Sequence, residues 1–172
     1  MKYKQQPTQH ERVMREDDFI ISKTDLKGRI TYCNRIFIEF SGYSEAELLG
    51  AQHNIVRHPD MPRGVFQFLW DTLGQKTECF AYVKNMCRDG AFYWVFANVT
   101  PSLDAAGQVE GFFSARRKPG KGAVSAVSDI YQLMRNEEQR AGPRDACAAS
   151  VGLLTGLLNQ KGTSYEKFIL AL

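Results

Sequence analysis

The sequence is poor in the residues that staple chains, hold metals or cross membranes. Its four cysteines, Cys33, Cys79, Cys87 and Cys147, form no C-x-x-C pair. Neither a zinc ribbon nor a thioredoxin-type site is indicated. His10, His53 and His58 are the only histidines, no H-E-x-x-H occurs, and no Ser-His-Asp pattern stands out. Hydrolase chemistry has almost no foothold. No apolar run approaches the roughly 20 residues of a membrane span. The longest candidate, Ala91–Val99, is short and aromatic and reads as a strand. Met1–Gln6 is polar and holds no apolar signal region. These absences point to a cytoplasmic protein with reduced, buried cysteines. Charge of one sign is lacking too: the net charge is +3 over 172 residues, too little to imply nucleic acid. What remains, 44% hydrophobic and 24% charged residues, is a globular composition. The length suits roughly one domain of about 100–200 residues, with a core that needs no disulfide or metal.

Periodicity gives the order of elements. A polar lead-in holds a short expected helix, Pro7–Arg15, with Val13 and Met14 as docking residues. Asp18–Lys23 and Arg29–Cys33 form a hairpin around the turn Asp25–Gly28. Ile36, Phe37 and Phe40 mark one helical face. Ser44 and Glu47 form a capping box that opens a one-turn helix closed by Gly50. After the irregular His53–Pro62, Asp60 is the expected N-cap of a helix with Val65, Phe66, Leu69, Trp70 and Leu73 on one face. Three strands follow, Glu78–Met86, Ala91–Leu103 and Gln108–Arg117, joined by Asp-Gly-type turns. The class is α+β: an antiparallel sheet with short helices on one face. Beyond Lys118–Gly120 the pattern is helical. Val124, Val127, Ile130, Tyr131 and Met134 form a stripe, Ala141–Pro143 breaks it, and Asp145–Asn159 resumes. Thr163–Glu166 reads as a second capping box, leading to Phe168, Ile169 and Leu172.

The last strands carry bulk on both faces. Trp94 and Phe96 lie opposite Tyr93, Val95 and Ala97, so both faces must be covered. The N-terminal segment, the C-terminal helices or a second subunit must supply the cover, and the N-terminal helix together with a partner surface is the expected one. Arg116, Arg117, Lys118 and Lys121 read as a solvated basic strand end.

The element order resembles a PAS domain. His53-Asn-Ile-Val-Arg-His-Pro-Asp-Met-Pro62 is similar to the corresponding segment of the Aer type of aerotaxis receptor. Ser41-Gly-Tyr-Ser44, Trp70, Val83-Lys-Asn85 and Tyr93-Trp-Val95 fit the same group, over about residues 18–118. The resemblance implies a PAS fold: a five-stranded antiparallel sheet, a pocket between sheet and helices, and non-covalent FAD as a redox or oxygen sensor. It divides the chain into an N-terminal cap (1–17), a PAS sensor domain (18–118) and a C-terminal helical segment for signalling or partner contact (119–172). It implies a membrane chemoreceptor or other signalling protein as partner, a homodimer as an option, and a signalling role rather than an enzymatic one. The chain itself has no direct membrane span and looks like the stand-alone PAS form that works with a separate receptor.

Six residues are the cofactor-binding candidates. Asn85 shares a strand face with Cys79, Ala81 and Val83, and its amide both donates and accepts, as the pyrimidine edge of a flavin requires. Its alternative is a hydrogen bond to the nearby turn. Asn34 is either a helix N-cap or a ligand contact. Arg57 offers a bidentate fork to a diphosphate, and His58 a pocket-shaping role. Trp70 is an aromatic stacking candidate that periodicity alone would put in the core. Phe66 is pocket wall, and His53 is read as structural. Alternatives are a haem PAS sensor using His58 or His53, or a cofactor-free interaction module. No cysteine lies between Cys33 and Cys79, which leaves a light-driven cysteinyl adduct without its nucleophile.

Overall fold

In the computed structural model, residues 5–172 are described. Five strands form one antiparallel sheet: β1 (Ile20–Thr24), β2 (Ile30–Cys33), β3 (Cys79–Met86), β4 (Phe92–Leu103) and β5 (Val109–Arg117). Their spatial order is β2-β1-β5-β4-β3, so the hairpins β1–β2 and β3–β4 meet through β5. Helices α1 (Arg35–Ser41), α2 (Glu45–Leu48) and α3 (Arg63–Gly74) lie in the connection from β2 to β3, with a 3-10 turn at His53–Val56. The capping box forms as expected: Ser44 Oγ accepts from the Glu47 N–H, and Glu47 accepts from the Ser44 N–H. Gly28, at φ +74°, closes the β1–β2 turn, which Asp25 braces by accepting from the Lys27 and Arg29 amides.

The N-terminal segment is extended, not helical. The cause is an unpaired edge. β5 ends opposite Phe96, which leaves the first residues of β4 without a neighbour on that side. The N-terminal segment fills the gap: Phe92 donates to the His10 carbonyl and accepts from the Arg12 amide. Pairing to an open strand edge outweighs the weak helix propensity of a short polar segment.

The other sheet face is covered by α4 (Lys121–Gln160), not by an N-terminal helix. Val127, Tyr131 and Met134, from the expected stripe, are buried. Tyr131 stacks on Trp94, and its hydroxyl donates to the Tyr82 carbonyl at 2.7 Å. α4 bends at Gly142 (φ 78°, ψ 169°), next to Pro143, where the sequence pattern breaks. Beyond the bend it packs along α3, and α5 (Tyr165–Leu170) returns to β3, the edge strand. The cap of α5 is Ser164 rather than Thr163, one residue later than expected. Among the described residues no helix is long and apolar enough to cross a membrane.

Asp60 does not cap α3. Pro62 stands at the N-cap position and makes no side-chain cap bond. A carboxylate from α4 does that work instead: Glu138 Oε1 accepts from the Gly64 amide at 2.9 Å and from Ser150 Oγ at 2.7 Å. Asp60 holds Lys84 at 2.8 Å with one oxygen and Arg135 at 3.1 Å with the other. It therefore ties its own segment to β3 and α4.

Candidate functional site

A cavity of about 210 Å³ lies between the sheet and the layer formed by α3 and the His53–Pro62 segment. Period-two alternation builds its floor. Val83 and Asn85 of β3, Ala97 and Val99 of β4, Ser114 and Arg116 of β5, and Ser22 of β1 all face it. Most of these are small, which leaves space above the sheet. Val56, Phe66, Leu69 and Leu73 make an apolar opposing wall.

Of the six candidates, Arg57, Phe66, Trp70 and Asn85 line this cavity. Asn85 is buried, faces Tyr93 across the β3–β4 ladder, and is bridged through its backbone to Arg57. Burial pushes the Tyr93 phenol well above its usual range, so it stays protonated. The Arg57 guanidinium sits 4.4 Å over the Phe66 ring and donates to the Met61 carbonyl. Trp70 is 44% exposed, so it belongs to the rim rather than the core. It meets Phe112 edge-on at 5.2 Å and lies against Gly28, where a Cβ would come within 3.7 Å of the indole.

Asn34 and His58 stand outside the cavity walls. Asn34 is an N-cap and a latch. Its Oδ1 accepts from the Phe37 and Ile21 amides, and its Nδ2 donates to the Phe19 carbonyl. His58 is buried with its ring edge-on to Phe92, and its Nδ1 accepts from the Asp60 amide at 3.0 Å. That bond fixes the proton on Nε2, which has no partner. Burial, then the Lys84 charge, lowers its pKa to about 4. Burial pushes the Asp60 pKa up, but the hydrogen bond and charge of Lys84 prevail and hold it below its ordinary value.

Two polar cavity residues, Arg116 and His53, were not among the flavin-contact candidates from the sequence. Arg116 is 2% exposed, not solvated. It reaches His53 Nε2 at 3.2 Å, donates to Ser22 Oγ, and lies 4.6 Å over the Phe37 ring. Its Nε has no partner, and among the described residues no carboxylate pairs with it. Burial lowers its pKa to about 10, which still leaves it charged at neutral pH. His53 stacks on Phe37 and accepts from Arg116, so it holds a neutral ring. Burial, then the Arg116 charge, brings its pKa to about 3. The signal for Arg116 was the same alternation that marked Asn85. Arg116 has the inward parity of Ser114 and Phe112, Arg117 has the outward one, and Lys118 lies beyond the end of β5.

A second space adjoins the first. A groove of about 630 Å³ runs between the Pro59–Arg63 segment and the bend of α4, and Asn54 and Arg57 border both spaces. Among the described residues no cluster of histidine, cysteine and carboxylate groups is arranged to hold a metal ion.

The chain is similar to known proteins at the level of family, sequence and fold. The family model described as PAS fold matches residues 30–116. The "Aerotaxis receptor" of Escherichia coli (strain K12) is 37% identical over 127 residues, which is 74% of this chain and 25% of that protein. The "Nitrogen fixation regulatory protein" of Klebsiella pneumoniae is 33% identical over 116 residues, 67% of this chain and 22% of that one. The chain thus spans a quarter or less of the length of these curated relatives. A solved structure described as "Flavin Analogue Sheds Light on Light-Oxygen-Voltage Domain Mechanism" superposes with a TM-score of 0.56 at 20% identity, over 71% of this chain and 87% of its own. At that identity the likeness is one of fold.

Proposed function

The chain belongs to the PAS-fold family, and on that premise we propose that it is a redox or oxygen sensor binding FAD non-covalently above its sheet. In this reading it works in the cytoplasm and passes its state to a chemoreceptor-type or other signalling partner, as a monomer or homodimer. The observation that carries the proposal is the cavity floor. A buried guanidinium without a carboxylate and a buried amide share one apolar cavity. A flat apolar ring with a hydrogen-bonding, electron-rich edge meets both demands.

The residues fit that group. Asn85 would both donate to and accept from the ring edge. Arg116, held by His53 and Ser22, would favour negative charge developing there. Arg57, stacked on Phe66, would meet the diphosphate, and Trp70 with Gly28 would close the mouth. Asn34 and His58 would act at one remove, by fixing α1 and the His53–Pro62 segment. A bound flavin would supply reversible electron acceptance. A redox change moves this protein only if its residues interact differently with the two states. Asn85 and Arg57 are joined by a backbone bridge, so a change at the floor passes into the segment that Asp60 ties to α4.

The haem alternative loses support. His53 Nε2 already accepts from Arg116, a poor neighbour for a bound cation, and His58 lies outside the cavity. The test is the visible spectrum of purified protein before and after dithionite, with the released chromophore identified by chromatography. A two-band flavin spectrum that bleaches, with FAD released, supports the reading. A Soret band, or no chromophore after incubation with FAD, overturns it.

A further inference from the structure

The inner cavity is too small for a dinucleotide. Its 210 Å³ falls below the roughly 300–1,000 Å³ of ordinary ligand sites. The outer groove offers 630 Å³ and shares Asn54 and Arg57 with the inner one as common wall. Its far wall is not PAS core. It is α4, through Arg135, Gln139 and the bend at Gly142 and Pro143. At Gly142 the chain turns aside instead of continuing straight, and the bend borders the groove.

The groove is cationic. Arg57, Arg63 and Arg135 line it, with Lys84 behind Asp60. The opposing carboxylates are engaged: Glu138 with the Gly64 amide and Ser150, Asp60 with Lys84 and Arg135. Arg63 already donates to the Pro143 carbonyl and Arg135 pairs with Asp60, but a diphosphate carries more charge than either acceptor, and the guanidinium fork matches its oxygens.

We propose that this groove takes the adenosine diphosphate half of the dinucleotide, making α4 a wall of the cofactor site as well as the cover of the sheet. The inference rests on the flavin reading above. It has a thermodynamic consequence. A ligand touching both the core and α4 favours their docking, and docking favours the ligand by the same factor. A flavin without the adenylate half reaches only the inner cavity and leaves α4 unaffected.

The apoprotein of all 172 residues is titrated with riboflavin and with FAD, with hydrogen exchange followed across Lys121–Gln160. FAD is expected to bind at least about tenfold more tightly than riboflavin and alone to slow exchange in α4. Gln139→Glu, an exposed change that sets a negative charge on the groove wall, should weaken FAD by about tenfold and leave riboflavin unchanged. Arg63→Ala should act in the same direction. Equal affinity for the two flavins, or equal loss of both in the variants, overturns this inference while the flavin reading stands. No binding of either flavin by the unaltered chain overturns both.

Discussion

Arg116 shows how a single side chain can be hidden by its neighbours in sequence. A basic run reads as a solvated strand end, and Arg117 and Lys118 leave the cavity to it. Strand alternation turns every second residue inward, and Arg116 falls on that parity. A cation buried without a carboxylate costs the apoprotein free energy, so we expect Arg116→Met to leave thermal stability within about 1 kcal/mol of the parent, or above it. The same change should abolish or severely weaken flavin binding. Calorimetry of the apoprotein and a flavin titration separate the two. A large loss of stability would make Arg116 a structural residue. The histidines set a pH dependence. Both His53 and His58 have folded pKa values, about 3 and about 4, below the unfolded value of about 6.5. Below about pH 6.5 the unfolded chain binds protons that the folded chain refuses, so stability falls as pH falls toward about 4. Each histidine contributes up to about 1.4 kcal/mol per pH unit in that window. Urea midpoints measured from about pH 7.5 down to about 4.5 should decline, and His58→Asn, which keeps an acceptor for the Asp60 amide, should flatten the decline. An unchanged slope would place the acid sensitivity elsewhere.

At the scale of elements, α3 is the informative case. Its apolar face was legible, since Val65, Leu69 and Leu73 recur at helical spacing and are buried. Its N-terminus was not. Asp60 had the right residue type at about the right distance, but Lys84 and Arg135 offer it two ion pairs, and the helix takes its acceptor from Glu138, seventy-four positions away. A local capping rule cannot see a carboxylate arriving from another helix. Glu138→Ala should cost about 1–2 kcal/mol, in the range for losing a helix cap, and Glu138→Gln should recover part of it because the amide oxygen still accepts. Gly64→Ala tests the same contact by volume. In an open helix this change gains up to about 1 kcal/mol of propensity. Here the added methyl would collide with Ser150 Oγ and press within 3.2 Å of Met134 Cε. Overpacking costs about 1–3 kcal/mol, so the net sign is destabilising. Paired denaturation curves of Gly64→Ala, alone and combined with Ser150→Gly, should show the second change restoring much of the loss.

For the whole molecule, the five strands and their antiparallel pairing follow from alternation and turn residues that act locally, whereas the space between sheet and helices was implied by the family resemblance. What covers the reverse face does not. Period-two bulk at Trp94 and Phe96 says that a face must be buried, but not which element lands on it. The N-terminal segment was drawn away by the open edge of β4, and α4 brought the matching stripe. The C-terminal segment therefore holds the PAS core in three ways: Tyr131 on Trp94 and Tyr82, Arg135 on Asp60, and Glu138 on the first turn of α3. A chain ended after Lys118 loses all three. It would expose Tyr82, Trp94 and Phe96 as one aromatic patch, along with the uncapped N-terminus of α3. Patches of that kind drive association, so the fragment is expected to aggregate or form oligomers on size-exclusion chromatography. Even where soluble, it should bind FAD more weakly than the full chain, because both α3 and the groove wall are disturbed. A monomeric fragment with unaltered FAD affinity would show instead that the PAS core stands alone and that α4 reads the site without helping to build it.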